Sequence, residues 1–285
     1  MSYFQSLGLR QEPFSTSPDP GFFYQSPQHK AVFFRLRTAI ELRRGLSVVL
    51  GDVGTGKTTL SRKLSLALAD DRSIIPVMSL QPFYETDVLF LQEMCRRFGV
   101  RTRPGAGMNV PAYLQEIEKF LFDKCVREKK NAVLLIDEAQ KLTDPCLEIL
   151  RSLLNYETNE HKTLQLVLLG QMELLPRLER MANFFDRIAC KAVIAPLDEE
   201  SVRRLVDFRV RQAGYTHREP LFTEAALGAV YAATLGYPRK VSMLCHDALE
   251  RVVMRSGTHV LYEDVEAALD VQRAWRQPAH NMQAV

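Results

Sequence analysis

Several features that would assign the chain to a special class of protein are missing from its sequence. The five cysteines include no CxxC pair, so neither a zinc ribbon nor a disulfide scaffold is indicated, and we expect reduced, mostly buried thiols. No apolar run reaches the roughly 18 residues that a membrane-spanning helix requires. The N-terminal MSYFQSLGLRQEPF lacks the basic and apolar regions of a signal peptide. These absences predict a cytoplasmic protein without an integral membrane segment.

Composition sets broad limits and no more. The 285 residues are 46% hydrophobic and 25% charged, as in ordinary globular proteins, and suffice for one large and one small domain. A formal net charge of +3 is weak evidence for any partner, whether nucleic acid, membrane or protein.

The order of the predicted elements indicates the fold class. Five short apolar runs alternate with amphipathic helical stretches, which predicts a parallel sheet with helices on both faces. After Pro196 only helical patterns follow, with Asp198 and Thr223 as expected N-caps. The chain is therefore expected to be an α/β protein with a five-stranded parallel sheet, followed by a small all-helical lid domain. The strands are predicted at 46–50, 74–79, 132–136, 165–169 and 191–195; the helices at 28–43, 198–213, 223–234, 238–255 and 262–273; the domains at 1–27 (an N-terminal arm), 28–196, 197–273 and 274–285 (a tail).

A phosphate-binding loop follows the first predicted strand. GDVGTGKT at 51–58 matches G-x-x-x-x-G-K-[ST] between a strand and a helix, the context that this motif requires. Its glycines let successive backbone N–H groups approach phosphate oxygens, and Lys57 would reach the β- and γ-phosphates. Thr58 would offer its hydroxyl to Mg²⁺. The motif predicts that ATP is held by Gly51, Asp52, Val53, Gly54, Thr55, Gly56, Lys57, Thr58 and Thr59.

Two acids and an amide follow other strands and suggest hydrolysis. In VLLIDEAQ, Asp137 would hold Mg²⁺, and Glu138 would orient and deprotonate a water that attacks the γ-phosphate. Gln171, after LQLVLLG, would contact the γ-phosphate and the same water. As alternatives, Glu138 would merely cap the next helix and Gln171 would merely tie down a turn.

The combination of motifs resembles one family along nearly the whole chain. The segments are LGLRQEPFSTSPDPGFFYQSPQHKAV, GDVGTGKTTL, LLIDEAQKLTDPCLEILRSLLNYET, LQLVLLGQMEL, FFDRIACKAVIAPLDEE and GYPRKVSMLCHDAL. Together they resemble the ExeA/GspA-type branch of the AAA+ ATPases, which is related to bacterial secretion and pilus-biogenesis ATPases and to TniB- and TnsC-like transposition regulators. Phosphate-loop families of this kind keep an extra strand between the phosphate-loop strand and the acidic strand; the candidate is strand 74–79. That arrangement favours an ATPase over a kinase.

The resemblance implies further roles for single residues. Tyr24 and His29, with the neighbouring aromatic residues, would lie against the adenine, although they could equally pack the arm onto the core. Arg239 in GYPRK matches the arginine by which the lid senses the nucleotide's phosphates. An arginine finger supplied to the neighbouring subunit would come from PRLERMANFFDRI, with Arg187 favoured over Arg180 and a surface or intramolecular ion pair as the alternative.

The predicted function is an ATP-hydrolysing switch that forms homo-oligomers, a ring or a filament, and acts on a macromolecular partner. The partner would belong to secretion or pilus machinery; the alternatives are double-stranded DNA, in a transposition regulator, and a scaffold that binds nucleotide without hydrolysing it. The basic run VRRLVDFRVRQ is interpreted first as a solvated surface and second as a phosphate-contacting patch. Relatives of the secretion type often continue into a membrane anchor, whereas this chain stops at Val285, so an envelope role does not simply carry over.

Overall fold

A computed structural model describes residues 4–17, 19–101, 107–158 and 161–276. The chain divides into two compact units: a first unit of residues 27–53 and 57–194, and a second unit of residues 1–26, 54–56 and 195–285. Among the described residues, no helix combines the length and apolar composition that crossing a bilayer requires. The expected tail lies largely outside the described residues, which end at 276. The domain limits taken from the sequence therefore stay a prediction.

The first unit contains a five-stranded parallel sheet, as the sequence predicted. Three strands are buried along their whole length, which explains their continuous apolar runs. The elements are α1 (Pro27–Glu41), β1 (Leu46–Gly51), α2 (Lys57–Ala69), β2 (Ile74–Ser79), α3 (Asp87–Phe98), α4 (Val110–Leu121), β3 (Asn131–Ile136), α5 (Asp144–Leu153), β4 (Leu164–Gly170), α6 (Leu175–Arg180), α7 (Ala182–Phe185) and β5 (Ile188–Ile194).

The last strand begins three residues earlier than the sequence suggested, because it lies at the edge of the sheet. In β5 buried and exposed residues alternate, so its apolar run is too short to reveal its full length. Side chains of α1 cover its outer backbone: Gln28 Nε2 donates to the carbonyl oxygen of Val193 (2.8 Å) and Arg35 Nη2 to that of Lys191 (2.9 Å). The edge is thereby protected from pairing with another chain.

The strand order is β2-β3-β4-β1-β5. An extra strand does separate the phosphate-loop strand β1 from the acidic strand β3, but that strand is β4. The expectation that 74–79 would occupy this place is wrong, because β2 pairs only with β3 at the opposite edge. Chain order does not reveal spatial order when every strand connection is a crossover.

The second unit is helical and includes the N-terminal arm. Its helices are α8 (Glu199–Gln212), α9 (Glu224–Thr234), α10 (Pro238–Met254) and α11 (Tyr262–Arg276). The expected caps are confirmed, since the side chains of Asp198 and Thr223 accept hydrogen bonds from the N–H groups of Ser201 and Ala226. Side chains of the arm are buried in the same apolar cluster as these helices; they are Leu7, Leu9 and Phe14.

Candidate nucleotide-binding site

The predicted phosphate loop joins the end of β1 to the start of α2. Gly54 and Gly56 have φ values of +83° and +99°, a conformation that L-residues rarely adopt. Within the second unit, to which residues 54–56 are assigned, a Cβ on Gly54 would lie 3.0 Å from the Cβ of Arg239. The backbone conformation therefore favours glycine at position 54, and a Cβ there would also make a tight contact.

The ammonium group of Lys57 is held at the mouth of this loop. Its Nζ donates hydrogen bonds to the carbonyl oxygens of Gly51 (2.7 Å) and Asp52 (2.8 Å), and the residue is only 5% exposed. Burial lowers the pKa of Lys57, while the nearby charges of Glu138 and Asp137 act to raise it. A phosphate oxygen placed at this ammonium would supply the negative charge that a buried lysine favours.

Asp137 and Thr58 form the oxygen-rich part of the site. Asp137 follows β3 directly and is buried, and burial raises its pKa, whereas the hydrogen bond from the Thr58 side chain acts to lower it. A hydroxyl and a carboxylate in contact are the hard oxygen ligands that suit Mg²⁺, which takes its other ligands from phosphates and water. These two residues therefore fit the metal that the motif implies.

Glu138 stands beside this pair in a strained backbone conformation. Its φ and ψ are +53° and +38°, in the left-handed region that costs a non-glycine residue about 1–2 kcal/mol. Its N–H donates to Oδ1 of Asp137 (3.0 Å). The extended backbone of β3 therefore ends before this residue.

Gln140 connects Glu138 to the end of the neighbouring strand. Its Nε2 donates to Oε2 of Glu138 (2.7 Å), and its Oε1 accepts from the N–H of Gln171 (3.1 Å). The structure therefore brings Glu138 and Gln171 together through a residue that sequence reasoning missed. The available signal was an amide two positions after the glutamate in DEAQ.

Arg177 belongs to the segment expected to supply the arginine finger, but its guanidinium forms hydrogen bonds within its own chain. Its guanidinium donates to the carbonyl oxygens of Gln140 (2.8 Å) and Leu142 (2.6 Å) and to the Asp144 carboxylate (2.6 Å). It thereby stabilises the loop that follows Glu138, which is a second contribution that the sequence did not reveal.

Arg187 lies apart from the other predicted site residues of the first unit. It directly precedes β5, at the amino ends of the strands, and its Nη1 donates to Oδ1 of Asn155. Lys57 and Glu138 lie at the carboxyl ends of the same parallel sheet, and a strand of this length spans about 20 Å. Arg187 therefore cannot reach the phosphate loop of its own chain. Arg180 is exposed at the end of α6.

The residues predicted to contact adenine or sense phosphate have the following positions. In the second unit, the Tyr24 ring packs against Phe208 with centroids 6.0 Å apart. Arg239 is exposed near the start of α10, and its N–H donates to the carbonyl oxygen of Gly54 (3.3 Å). In the first unit, His29 is 1% exposed within α1. Their roles toward the nucleotide stay predictions.

An open pocket of about 540 Å³ adjoins the two acids within the first unit. Its walls place three cationic side chains around the carboxylates of Asp137 and Glu138, which gives the pocket room and charge for anionic groups. The cations are those of Arg62, Arg97 and Lys141, and Thr58, Met78, Leu80 and Gln81 complete the lining.

Comparison with known proteins agrees with this geometry. Residues 40–178 match the AAA domain family. The chain is 33% identical over 276 residues to general secretion pathway protein A of Aeromonas hydrophila, covering 93% of this chain and 48% of that protein. The chain thus spans about half the length of this relative.

Solved structures share the fold at low sequence identity. Cdc6p from Pyrobaculum aerophilum superposes with a TM-score of 0.68 at 18% identity, covering 91% of this chain and 70% of that one. The ORC2 protein of Aeropyrum pernix, solved as ADPNP–ADP complexes, has a TM-score of 0.63 at 16% identity, covering 93% and 74%. The five-stranded parallel sheet, the phosphate loop and the relationship over most of the chain lead to one assignment: this chain is an AAA+ ATPase family member of the general secretion pathway protein A (ExeA/GspA) type.

Proposed function

We propose that this chain binds Mg-ATP, hydrolyses it, and uses the nucleotide state to control self-association and action on a macromolecular partner. The proposal depends mainly on one observation: three groups lie close together at the carboxyl ends of the strands. They are the Lys57 ammonium, the Asp137–Thr58 pair and the Glu138 carboxylate. Nucleotide-bound structures of the same fold support the binding step.

In the proposed reaction the chain's residues position the phosphates and the attacking water. Gly54 and Gly56 let the loop backbone follow the phosphates, and Lys57 binds the terminal ones. Thr58 and Asp137 would hold Mg²⁺, which when bound supplies charge stabilisation for the phosphates. Glu138 accepts a proton from the water as it attacks, and the Gln171 amide orients that water.

Gln140 is proposed as a positioning residue for Glu138. We expect Gln140→Ala to lower kcat for ATP by about tenfold, because the carboxylate loses the donor that orients it. The KM for ATP should be unchanged, since Gln140 is not a nucleotide ligand in this proposal. Steady-state kinetics across ATP concentrations provide the measurement. Gln28→Ala is the matched control, because it removes a side-chain amide of the same unit that donates to the carbonyl oxygen of Val193 and does not contact Glu138. Equal kcat in both variants would contradict the role.

Arg187 lies at the amino ends of the strands, whereas the phosphate loop lies at the carboxyl ends. We therefore propose that Arg187 completes the site of a neighbouring copy. Arg187→Ala should then lose most turnover yet bind ATP, whereas Lys57→Ala should not bind ATP. Mixing the two inactive proteins should restore activity, since the Lys57→Ala copy still offers its arginine to an intact phosphate loop. A second mixture, with Arg180→Ala in place of Arg187→Ala, tests whether Arg180 is the finger instead. Absence of recovery at every protein concentration argues against a finger acting between subunits.

The partner is proposed from the relative. Its name associates that protein with the general secretion pathway, and we extend this to a protein partner in secretion or pilus assembly, reached from the cytoplasm.

The proposed homo-oligomer, a ring or a filament, is tested by measuring specific ATPase activity against protein concentration. A rise of specific activity with concentration is expected, and a constant value over a hundredfold range contradicts self-association.

A further inference from the structure

The basic run that the sequence singles out is neutralised within its own helix. On α8, Arg203, Arg204 and Arg211 each form an ion pair with the acid four residues earlier. Arg209 is turned inward and donates to the carbonyl oxygen of Ser15 and the hydroxyl of Ser242. The three paired cations agree with their interpretation as a solvated surface, whereas Arg209 is part of the interior of its own unit.

Other cations, scattered in the sequence, are brought together at the amino ends of neighbouring strands. They lie in the loops before β1, β3 and β4, which are contiguous in the sheet. We call this set of residues the basic edge; its members are Arg43, Arg44, Lys129, Lys130 and Lys162. These residues lie at the amino ends of the strands, whereas the phosphate loop follows the carboxyl end of β1.

Hydrogen bonds join these loops into one surface. Arg43 Nη2 donates to the carbonyl oxygens of Lys129 (2.9 Å) and Lys130 (3.0 Å), and its Nη1 lies 2.8 Å from Nε2 of His161. The N–H of Lys162 donates to the carbonyl oxygen of Arg43 (3.4 Å). Since these contacts use backbone groups of all three lysines, the lysine ammonium groups are not needed for these hydrogen bonds between the loops.

The basic edge carries uncompensated charge. Lys130 contacts Glu128 at 3.5 Å, and Lys162 pairs with Glu157. Within the described ranges, Arg43, Arg44 and Lys129 form no ion pair, which leaves a net charge of about +3 on this surface. The whole first unit has 25 Lys and Arg against 20 Asp and Glu, whereas the second has 12 against 14.

Two of these cations occupy backbone conformations that disfavour any side chain. Arg43 and Lys129 have φ values of +50° and +55°. Glycine would adopt this conformation without the cost of about 1–2 kcal/mol that an L-residue bears. Arg43 uses its guanidinium to join the loops, whereas the Lys129 ammonium forms no ion pair within the described ranges, so a strained position that carries such a charge points to a functional use.

We propose that the basic edge binds the phosphate backbone of duplex DNA. Three neighbouring strands span about 10 Å, which corresponds to about three phosphates of one DNA strand. No aromatic platform for single-stranded bases is present among these residues. The exposed apolar residues Leu42 and Phe122 are single side chains, and the Arg127 guanidinium lies over the Phe122 ring at 5.4 Å, which disfavours insertion into lipid.

The test is fluorescence anisotropy with a labelled 30-base-pair duplex of mixed sequence, without nucleotide, between 50 and 200 mM salt. With three phosphates neutralised, the logarithm of affinity should fall with the logarithm of salt at a slope of about −2.7, a loss of about 40-fold over this range. Lys129→Gly combined with Arg44→Ala should weaken binding at least tenfold at 50 mM and reduce the slope to about −0.9. Because Lys129→Gly removes a strained side chain, thermal unfolding should occur at an equal or higher temperature.

Arg204→Ala combined with Arg211→Ala removes the same charge from α8 and should change affinity less than twofold. The proposal is overturned if the two double variants bind alike, or if no duplex binding occurs at 50 mM salt. It is also overturned if single-stranded DNA or vesicles containing 30% phosphatidylserine bind more tightly than duplex. ATP turnover measured on the same proteins keeps this result separate from the proposed hydrolysis.

Discussion

Glutamine in place of Glu138 is expected to lower the turnover number for ATP by about 10²–10⁴-fold, the usual contribution of a general base. The amide keeps the shape of the side chain and can still accept the hydrogen bond from Gln140 Nε2. It cannot take a proton from water. Because Lys57, Thr58 and Asp137 are untouched, the Kd for Mg-ATP should stay within threefold. Phosphate release and binding of a fluorescent ATP analogue measure the two quantities separately.

The same experiment decides between a hydrolase and a scaffold that binds nucleotide. Glu148→Gln is the matched control, since it neutralises a half-exposed carboxylate paired with Arg151 on α5. If the Glu138 and Glu148 variants release phosphate at the same rate as the unaltered protein, Glu138 is not the general base; a scaffold is indicated if this shared rate does not exceed that of a protein-free blank. Loss of binding together with turnover would instead indicate that Glu138 maintains the loop.

Alanine in place of Lys57 is expected to weaken ATP binding by about 10²–10⁴-fold. Each charge-assisted hydrogen bond contributes about 1.5–3 kcal/mol, and the ammonium would contact two phosphates. In the free protein the same side chain donates to Gly51 and Asp52, so the free energy of unfolding should also fall by about 1–3 kcal/mol. Titration calorimetry and urea unfolding measure these effects.

Lys63 provides the comparison for this second variant, because it lies on the same helix, α2, outside the phosphate loop. Lys63→Ala removes one positive charge and should leave ATP affinity within twofold. Equal losses of affinity in both variants would mean that general charge, rather than the position of Lys57, determines binding.

The fold class and most elements could be predicted from local patterns. Buried parallel strands produce uninterrupted apolar runs, and β2 was located to the residue. The start of the edge strand β5 was predicted three residues too late, because alternating burial gives a weaker hydrophobic pattern than a continuous apolar run. The place of β2 in the sheet was wrong, since spatial order depends on crossover connections that leave no local trace.

The candidate site divides in the same way. Lys57, Thr58, Asp137 and Glu138 are recognisable because phosphate and Mg²⁺ chemistry calls for those residue types at the start of the helix after the loop and directly after a buried strand. Gln140 and Arg177 were missed, since their importance lies in hydrogen bonds to the loop after β3, across 2 and 37 residues of sequence.

The amino-acid sequence alone thus determined the AAA+ architecture and the residues at the carboxyl ends of the strands, because backbone periodicity and phosphate chemistry are local requirements. Only the tertiary structure decided which residues act together. In a parallel sheet, all strands begin on one side of the sheet and all end on the opposite side. Arg187 and the basic edge are thereby separated from the phosphate loop, although nothing in their sequence neighbourhoods distinguishes the two sides.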